Sequence, residues 1–349
     1  RYNEERAFTQ QTQLLLAPLE PTDPAEVIDA KLRLVSDFLD IWLSRRVWCG
    51  RTIAQRNTKN EVFQLTKQIR GATVERLSEV LRAKLDAQAE RFAARPDFGL
   101  NKQNYRLVRH TLARLTHWVD EQCGVPSHFD DLVSAGRGRP FEVEHIWANH
   151  WDRFADDFAH PAEFDLARNR IGGLLMLQQG LNQSLGDATY AAKRAAYLAN
   201  SQNLLARSLH PSTYDNNPAF NAFVGRTGLA FRAYDDFGHQ AQQDRQELFI
   251  RIAEWVWNPS RLKLDGEAPP VHEPIGVVPS APAKSAESTG TEAPRFAGRR
   301  AFWTELLAHA APRTSFHSNC NPSGEQALVG GSGRQALNFN YVVLQDSSR

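Results

Sequence analysis

A chain of 349 residues with 42% hydrophobic and 10% aromatic residues is long enough for two domains and ample for a buried core. Its formal net charge is only +1, so no bulk field draws it to polyanions, and any phosphate contact must rest on locally arranged Lys and Arg. Three widely spaced cysteines, Cys49, Cys123 and Cys320, form no Cys-x-x-Cys, which excludes a disulfide framework and a zinc ribbon and fits a reducing cytoplasm. No apolar run approaches the ~20 residues that cross a bilayer, and the start carries no apolar leader, so neither a membrane span nor a signal peptide is expected.

Residues 1–140 read as a helical region. Asp23-Pro24-Ala25-Glu26 has the form of an N-cap, a proline and an early glutamate, followed by Ile28, Leu32, Val35, Leu39 and Trp42 at intervals of three and four. Thr58-Lys59-Asn60-Glu61 has the form of a second capping box, and the stretches from Thr73 to Ala94 and from Asn101 to Val119 repeat the period. Between the first two helices, Arg45-Arg46-Val47-Trp48-Cys49-Gly50-Arg51 is either a basic edge for phosphate or, more simply, an ordinary solvated helix end with Trp48 turned inward. Arg137 and Arg139 stand just before the next segment and are better placed for phosphate.

The segment Phe141-Glu142-Val143-Glu144-His145-Ile146-Trp147 alternates with strand period, which puts Glu144 and His145 on opposite faces at a strand end. Ile171 to Leu177 is a short apolar run, expected as a second, mostly buried strand. Asp187 is the expected N-cap of a helix from Ala188 to Asn200. The unit is strand, loop, strand, helix, carrying His145, Asn169, Asn182, Glu144 and Lys193. His150 and His160 come with Asp152, Asp156 and Asp157, but His145 and His150 lie five apart across a strand-to-loop transition, which does not suit one zinc ion.

With Glu144-His145-Ile146, Arg168-Asn169-Arg170-Ile171-Gly172-Gly173-Leu174, Asn182 and Lys193 in view, the chain resembles the HNH, or His-Me finger, nucleases. More narrowly, it resembles the nuclease half of the GmrSD-type modification-dependent restriction endonucleases. Ala148 stands where that family usually has Pro, and Gly173 where it has Asn or Asp. The resemblance implies a metal-dependent DNA endonuclease of a restriction system against foreign modified DNA. By it His145 is the general base, Asn169 braces the loop and orients the histidine, and Lys193 holds charge in the transition state. Glu144 and Asn182 are the implied ligands of a divalent metal, Mg²⁺ with Mn²⁺ as substitute, while Arg137, Arg139, Arg168 and Arg170 are the implied DNA contacts. An NTP-binding ParB-like region is expected before Arg1, in the same protein or a partner. The alternatives are a non-catalytic nucleic-acid-binding or assembly module with a degenerate finger, and an HNH nuclease acting on RNA.

The chemistry suits the residue types. Histidine titrates near neutrality and so can take a proton from water, and a hard cation needs few protein ligands beside phosphate oxygens.

Residues 201–265 read as helical, completing the nuclease domain, with an interrupting loop from Leu204 to Asn221 and a last helix from Gln246 to Trp257. Residues 266–295, which hold six of the chain's 18 prolines, read as a disordered linker. Residues 296–349 read as the start of a further, truncated domain: an amphipathic helix from Arg299 to Leu307, then an alternating strand from Leu337 to Leu344 whose hairpin partner is expected beyond the chain's end. The fold expected is thus mainly α: a helical scaffold carrying a small ββα-metal (His-Me finger) unit over 141–200, followed by the linker and a truncated α+β segment.

Overall fold

The computed structural model describes residues 2–127, 129–134, 140–200, 203–264, and the short segments 301, 304–305, 307–308, 327–331 and 338–342. The chain divides into two compact units, Arg1–Pro274 and Ile275–Arg349. The linker expected over 266–295 and the arginines Arg137 and Arg139 lie outside the described residues.

The first unit is mainly helical. At its centre is the helix Ala25–Trp48, in which every residue from Phe38 to Trp48 is buried. A helix apolar on one stripe would lie on the surface; burial all round makes this one the axis on which others pack. Val74–Asp86 lies on it, Gln55–Ile69 packs on Val74–Asp86 and on the short helix Gln11–Leu16, and Tyr105–Gln122 packs on the later helix His239–Val256. Trp48 points inward, stacked on Phe98 and donating its indole N–H to the Arg95 carbonyl at 3.0 Å, as the simpler reading of the Arg45–Arg51 segment expected, but the helix end is not solvated. Arg45 and Arg46 are buried as well, donating to the Leu85 carbonyl and to Glu61.

Burying these polar groups requires partners. Asp40 faces inward from the central helix, and Arg6, Arg114 and Arg261 converge on its carboxylate with N–O distances of 3.0–3.1 Å and, for Arg114, 2.7 Å. The Trp257 indole adds a fourth donor at 3.2 Å. Burial pushes the Asp40 carboxyl up, but the three guanidiniums outweigh it and hold it well below the usual carboxylate range. This hub ties residues near the start of the chain to residues near 260. His110 belongs to it, accepting from Arg6 at 2.9 Å.

Two expected caps move. The central helix begins at Ala25 rather than on an Asp23 cap, because the Asp23 carboxylate is taken by the Glu20 amide and by Lys31. The next helix begins at Gln55, placing Thr58 inside it, where its buried hydroxyl donates to Gln10 Oε1 at 2.6 Å. Thr73, by contrast, does cap Val74–Asp86, accepting from the Arg76 amide.

The only sheet described in this unit is a two-stranded antiparallel pair, β1 (Phe141–His145) and β2 (Leu174–Gln178), with His145 opposite Leu174 and Phe141 opposite Gln178. The apolar run starting at Ile171 opens as a turn of 3₁₀ helix, Ile171–Gly173, before the strand begins. Two helices follow where one was expected, Gln179–Leu185 and Tyr190–Asn200, so Asn182 sits on a helix. Asp187 does not cap the second; its carboxylate stands 3.3 Å from His150. The stretch expected as a loop after Leu204 contains the helices Leu204–Arg207, Ser212–Asp215 and Pro218–Thr227. The last helix starts earlier than its apolar stripe suggested, at His239.

In the second unit, Ala301, Thr304, Glu305 and Leu307 are helical, within the expected amphipathic stretch, as is Ala308 just after it. A second antiparallel pair joins β3 (Ala327–Gly331) to β4 (Asn338–Val342). The partner of the 338–342 strand therefore lies upstream, in a run whose Gly330 and Gly331 hid it from pattern reading.

Candidate active site

The site is assembled from the end of β1, the turn before β2 and the helix Tyr190–Asn200. His145 ends β1 and is half-buried. Its Nε2 lies 2.9 Å from Asn169 Oδ1. Asn169 is fixed in turn, because its Nδ2 donates to the Asp165 carbonyl at 2.8 Å, which leaves the amide oxygen facing the ring. An oxygen can only accept, so Nε2 carries the ring proton and Nδ1 keeps its lone pair. Burial pushes the His145 pKa down to about 4, with the Arg168 and Lys193 charges adding to the effect and the Asn169 bond opposing it. The imidazole is neutral at pH 7.

Asn169 owes its position to two segments distant in sequence. The Leu100 amide donates to the Asn169 carbonyl at 2.7 Å, and the Ile171 amide donates to the Phe98 carbonyl at 3.0 Å, so 98–100 runs beside 169–171 as a short antiparallel bridge. Gly99 permits this approach: a Cβ there would lie 2.2 Å from the Asn169 carbonyl oxygen. From the other side, Gln246 accepts from the Gly172 amide at 2.8 Å and donates to Phe98 at 3.1 Å, while Arg245 donates to the Gly172 carbonyl and Gln242 to the Ala167 carbonyl. These three residues are buried. Sequence reasoning passed over them, although polar residues at 242, 245 and 246 on a helix that buries Leu248, Phe249 and Ile252 are a signal that something polar faces them.

The opposite face of β1 is closed. Glu144 and Lys193 are an ion pair with Nζ–Oε1 of 2.6 Å, and their side chains are 8% and 1% exposed. Tyr197, one turn after Lys193, donates its hydroxyl to the same Oε1 at 3.0 Å, and Lys193 Nζ also donates to the His145 carbonyl at 2.8 Å. Glu142, two residues earlier on that face, accepts from Gln179 at 3.0 Å and from Asn182 at 3.1 Å. The structure thus joins His145 to Asn169 and Glu144 to Lys193, but holds Glu144 and Asn182 on different partners. The two residues do not converge on one divalent ion: an ammonium and a hydroxyl occupy Glu144 Oε1, and the Asn182 amide nitrogen is drawn to a different carboxylate, Glu142. Among the described residues, no group of three or more His, Cys, Asp or Glu side chains could hold a metal ion. Lys193, expected to hold charge in the transition state, is buried against Glu144.

Arg168 and Arg170 flank Asn169 and are half-buried. Arg168 Nε donates to the Trp147 carbonyl at 3.0 Å, and Trp147 is buried among Phe154, Phe158, Phe164 and Phe237. This aromatic packing anchors the chain just after His145. His150 stands between Asp152 and Asp187, and His160 Nδ1 accepts from the Ala162 amide at a helix start, so both have structural partners.

No described helix is long and apolar enough to cross a membrane. Neither the curated proteins nor the solved structures contain a significant match to the chain. One family model does match, that of the C-terminal domain of the GmrSD restriction endonucleases, over residues 75–252. That span starts in the helix Val74–Asp86, ends in His239–Val256, includes every residue of the site just described, and is just over half of the chain; the protein belongs to that family.

Proposed function

We propose that the chain is an endonuclease of the HNH type, whose Arg1–Pro274 unit carries a ββα finger, and that it cleaves DNA phosphodiester bonds in a cytoplasmic restriction system against foreign modified DNA. One observation carries this reading: the Asn169 oxygen on His145 Nε2 leaves Nδ1 as a free base on a half-exposed, neutral imidazole. A base so oriented can take a proton from water attacking phosphorus. Its low pKa belongs to the protein without substrate. An arriving phosphodiester brings negative charge, which favours the imidazolium and raises the pKa toward a useful value. Arg168 and Arg170, on the same turn, are assigned to the flanking phosphates, as are Arg137 and Arg139. A requirement for Mg²⁺, with Mn²⁺ as substitute, is retained from the family resemblance alone, with neither Glu144 nor Asn182 assigned to the ion; suppression of cleavage by EDTA tests it. A ParB-like NTP-binding region, in the same protein or a partner, belongs to the same proposal.

The test is cleavage of modified and unmodified plasmid by the purified chain beside His145→Ala. The variant should lose ~10² to 10⁴ in rate while DNA binding persists, as removal of a general base does. Equal rates for the two proteins would refute the assignment. For the parent, kcat/KM reports the free enzyme, so it should hold down to about pH 5 and fall toward pH 4. An acid limb near pH 6.5 would mean that burial does not hold the His145 pKa down.

A further inference from the structure

We propose that Glu144 is the buried counter-ion of Lys193, and that this pair positions His145 rather than holding a metal. The proposal rests on the reading of His145 as general base, and it reassigns the two residues that the motif would have made a ligand and a charge stabiliser.

Three contacts carry it. Lys193 Nζ is 2.6 Å from Glu144 Oε1 and 2.8 Å from the His145 carbonyl oxygen, so one ammonium bridges the side chain of one residue and the backbone of the next. Tyr197 occupies the same Oε1 at 3.0 Å, and it stands four residues after Lys193, where one helix face presents both groups together. Both charged side chains are more than nine-tenths buried, so neither has water to replace the other. A divalent cation approaching Oε1 would meet an ammonium already within hydrogen-bond distance of that oxygen, and like charges there repel strongly. What the pair can do is hold the end of β1. By fixing the His145 carbonyl from behind, it fixes the origin from which the imidazole projects to Asn169 on the other face.

The experiment uses the full chain with Glu144→Gln, Lys193→Met, the double variant and Tyr197→Phe, measured by thermal unfolding, by kcat and KM on plasmid, and by Mn²⁺ uptake followed by electron paramagnetic resonance without DNA. Each single change of the charged pair should lower Tm and kcat, because it strands the partner's charge in the interior. The double variant should recover a clear part of both losses relative to Lys193→Met, a coupling that two independent residues would not give. Tyr197→Phe should lower kcat severalfold with KM unchanged, since a displaced base alters the transition state more than DNA binding. Mn²⁺ uptake should be the same in Glu144→Gln and the parent, whatever its level. Additive losses, a double variant that unfolds with the singles, or uptake lost only in Glu144→Gln would each overturn the proposal. Should the parent cleave no DNA, the nuclease reading fails, while the Tm coupling and Mn²⁺ comparison still decide the pair.

Discussion

Asp40 and Glu144 are both carboxylates carried into the interior with basic partners, yet they do different work. Asp40 collects three guanidiniums and an indole from elements spread along the chain, so its charge is shared among many donors and the hub joins the scaffold together. Glu144 has one ammonium and one hydroxyl, both from a single helix, and its partner also touches the backbone of the proposed base. The first arrangement is redundant and structural; the second is local and directional. A buried charge can hold a fold or aim a side chain, and the number and origin of its donors distinguish the two.

Asp40→Ala tests the structural half of that contrast and should have the largest effect. It strands the buried Arg6 and Arg114 guanidiniums and takes one of the two carboxylates from the part-exposed Arg261, and removing one partner of such a network typically costs about 3–5 kcal/mol, a large share of a domain's stability. Urea unfolding should register it, and a loss below about 1 kcal/mol would mean that the hub relaxes easily. Gly99→Ala leaves every charge in place and attacks the site's backing. The added methyl meets the Asn169 carbonyl, so the bridge must open by overpacking, at a cost of about 1–3 kcal/mol in stability and a matching fall in kcat. Unchanged cleavage would separate Asn169 from catalysis.

The smallest effect belongs to a third buried carboxylate, Asp120, which has no cationic partner among the described residues. Burial raises its pKa to about 7, against the opposing hydrogen bonds from the Leu204 amide and Ser127. Between pH 4 and 7 the unfolded chain has already lost this proton while the folded one keeps it. Stability contributed by Asp120 is therefore full below about pH 4 and lost as pH rises through 7. Asp120→Asn keeps an acceptor for Leu204 and removes that slope. It should stabilise the chain at pH 8 by on the order of 1 kcal/mol and have little effect at pH 4, as thermal unfolding at the two values would show.

Much of this site could be read before any coordinates. The period of Phe141 to His145 gave the strand and the opposite faces of Glu144 and His145, while the base at 145 and its brace at 169 were implied by the family resemblance. Neighbouring residues in a strand reveal facing, but not what stands across from each face. For that reason the Glu144–Lys193 pair, 49 residues apart, and the Glu142–Asn182 contact were not visible. The capping signals show the same limit. Thr73 caps as its local pattern suggests, whereas Thr58 is drawn inside a helix by Gln10, a partner 48 residues away. The clamp from Gln242, Arg245 and Gln246 was missed because polar residues in a helix read as solvated until burial is known.

That clamp has a consequence for the life of the chain. The turn bearing Asn169 is closed on one side by Phe98 and Leu100 and on the other by Gln246, which is 74 residues from Gly172 and 148 from Phe98. Contacts between residues so far apart in sequence come late in folding, after the loop-closure entropy of the intervening chain has been overcome. On the ribosome they must wait until residue 246 has emerged. A nascent or half-unfolded chain thus carries the proposed histidine without its brace, and the ability to cut nucleic acid arrives only with the finished fold.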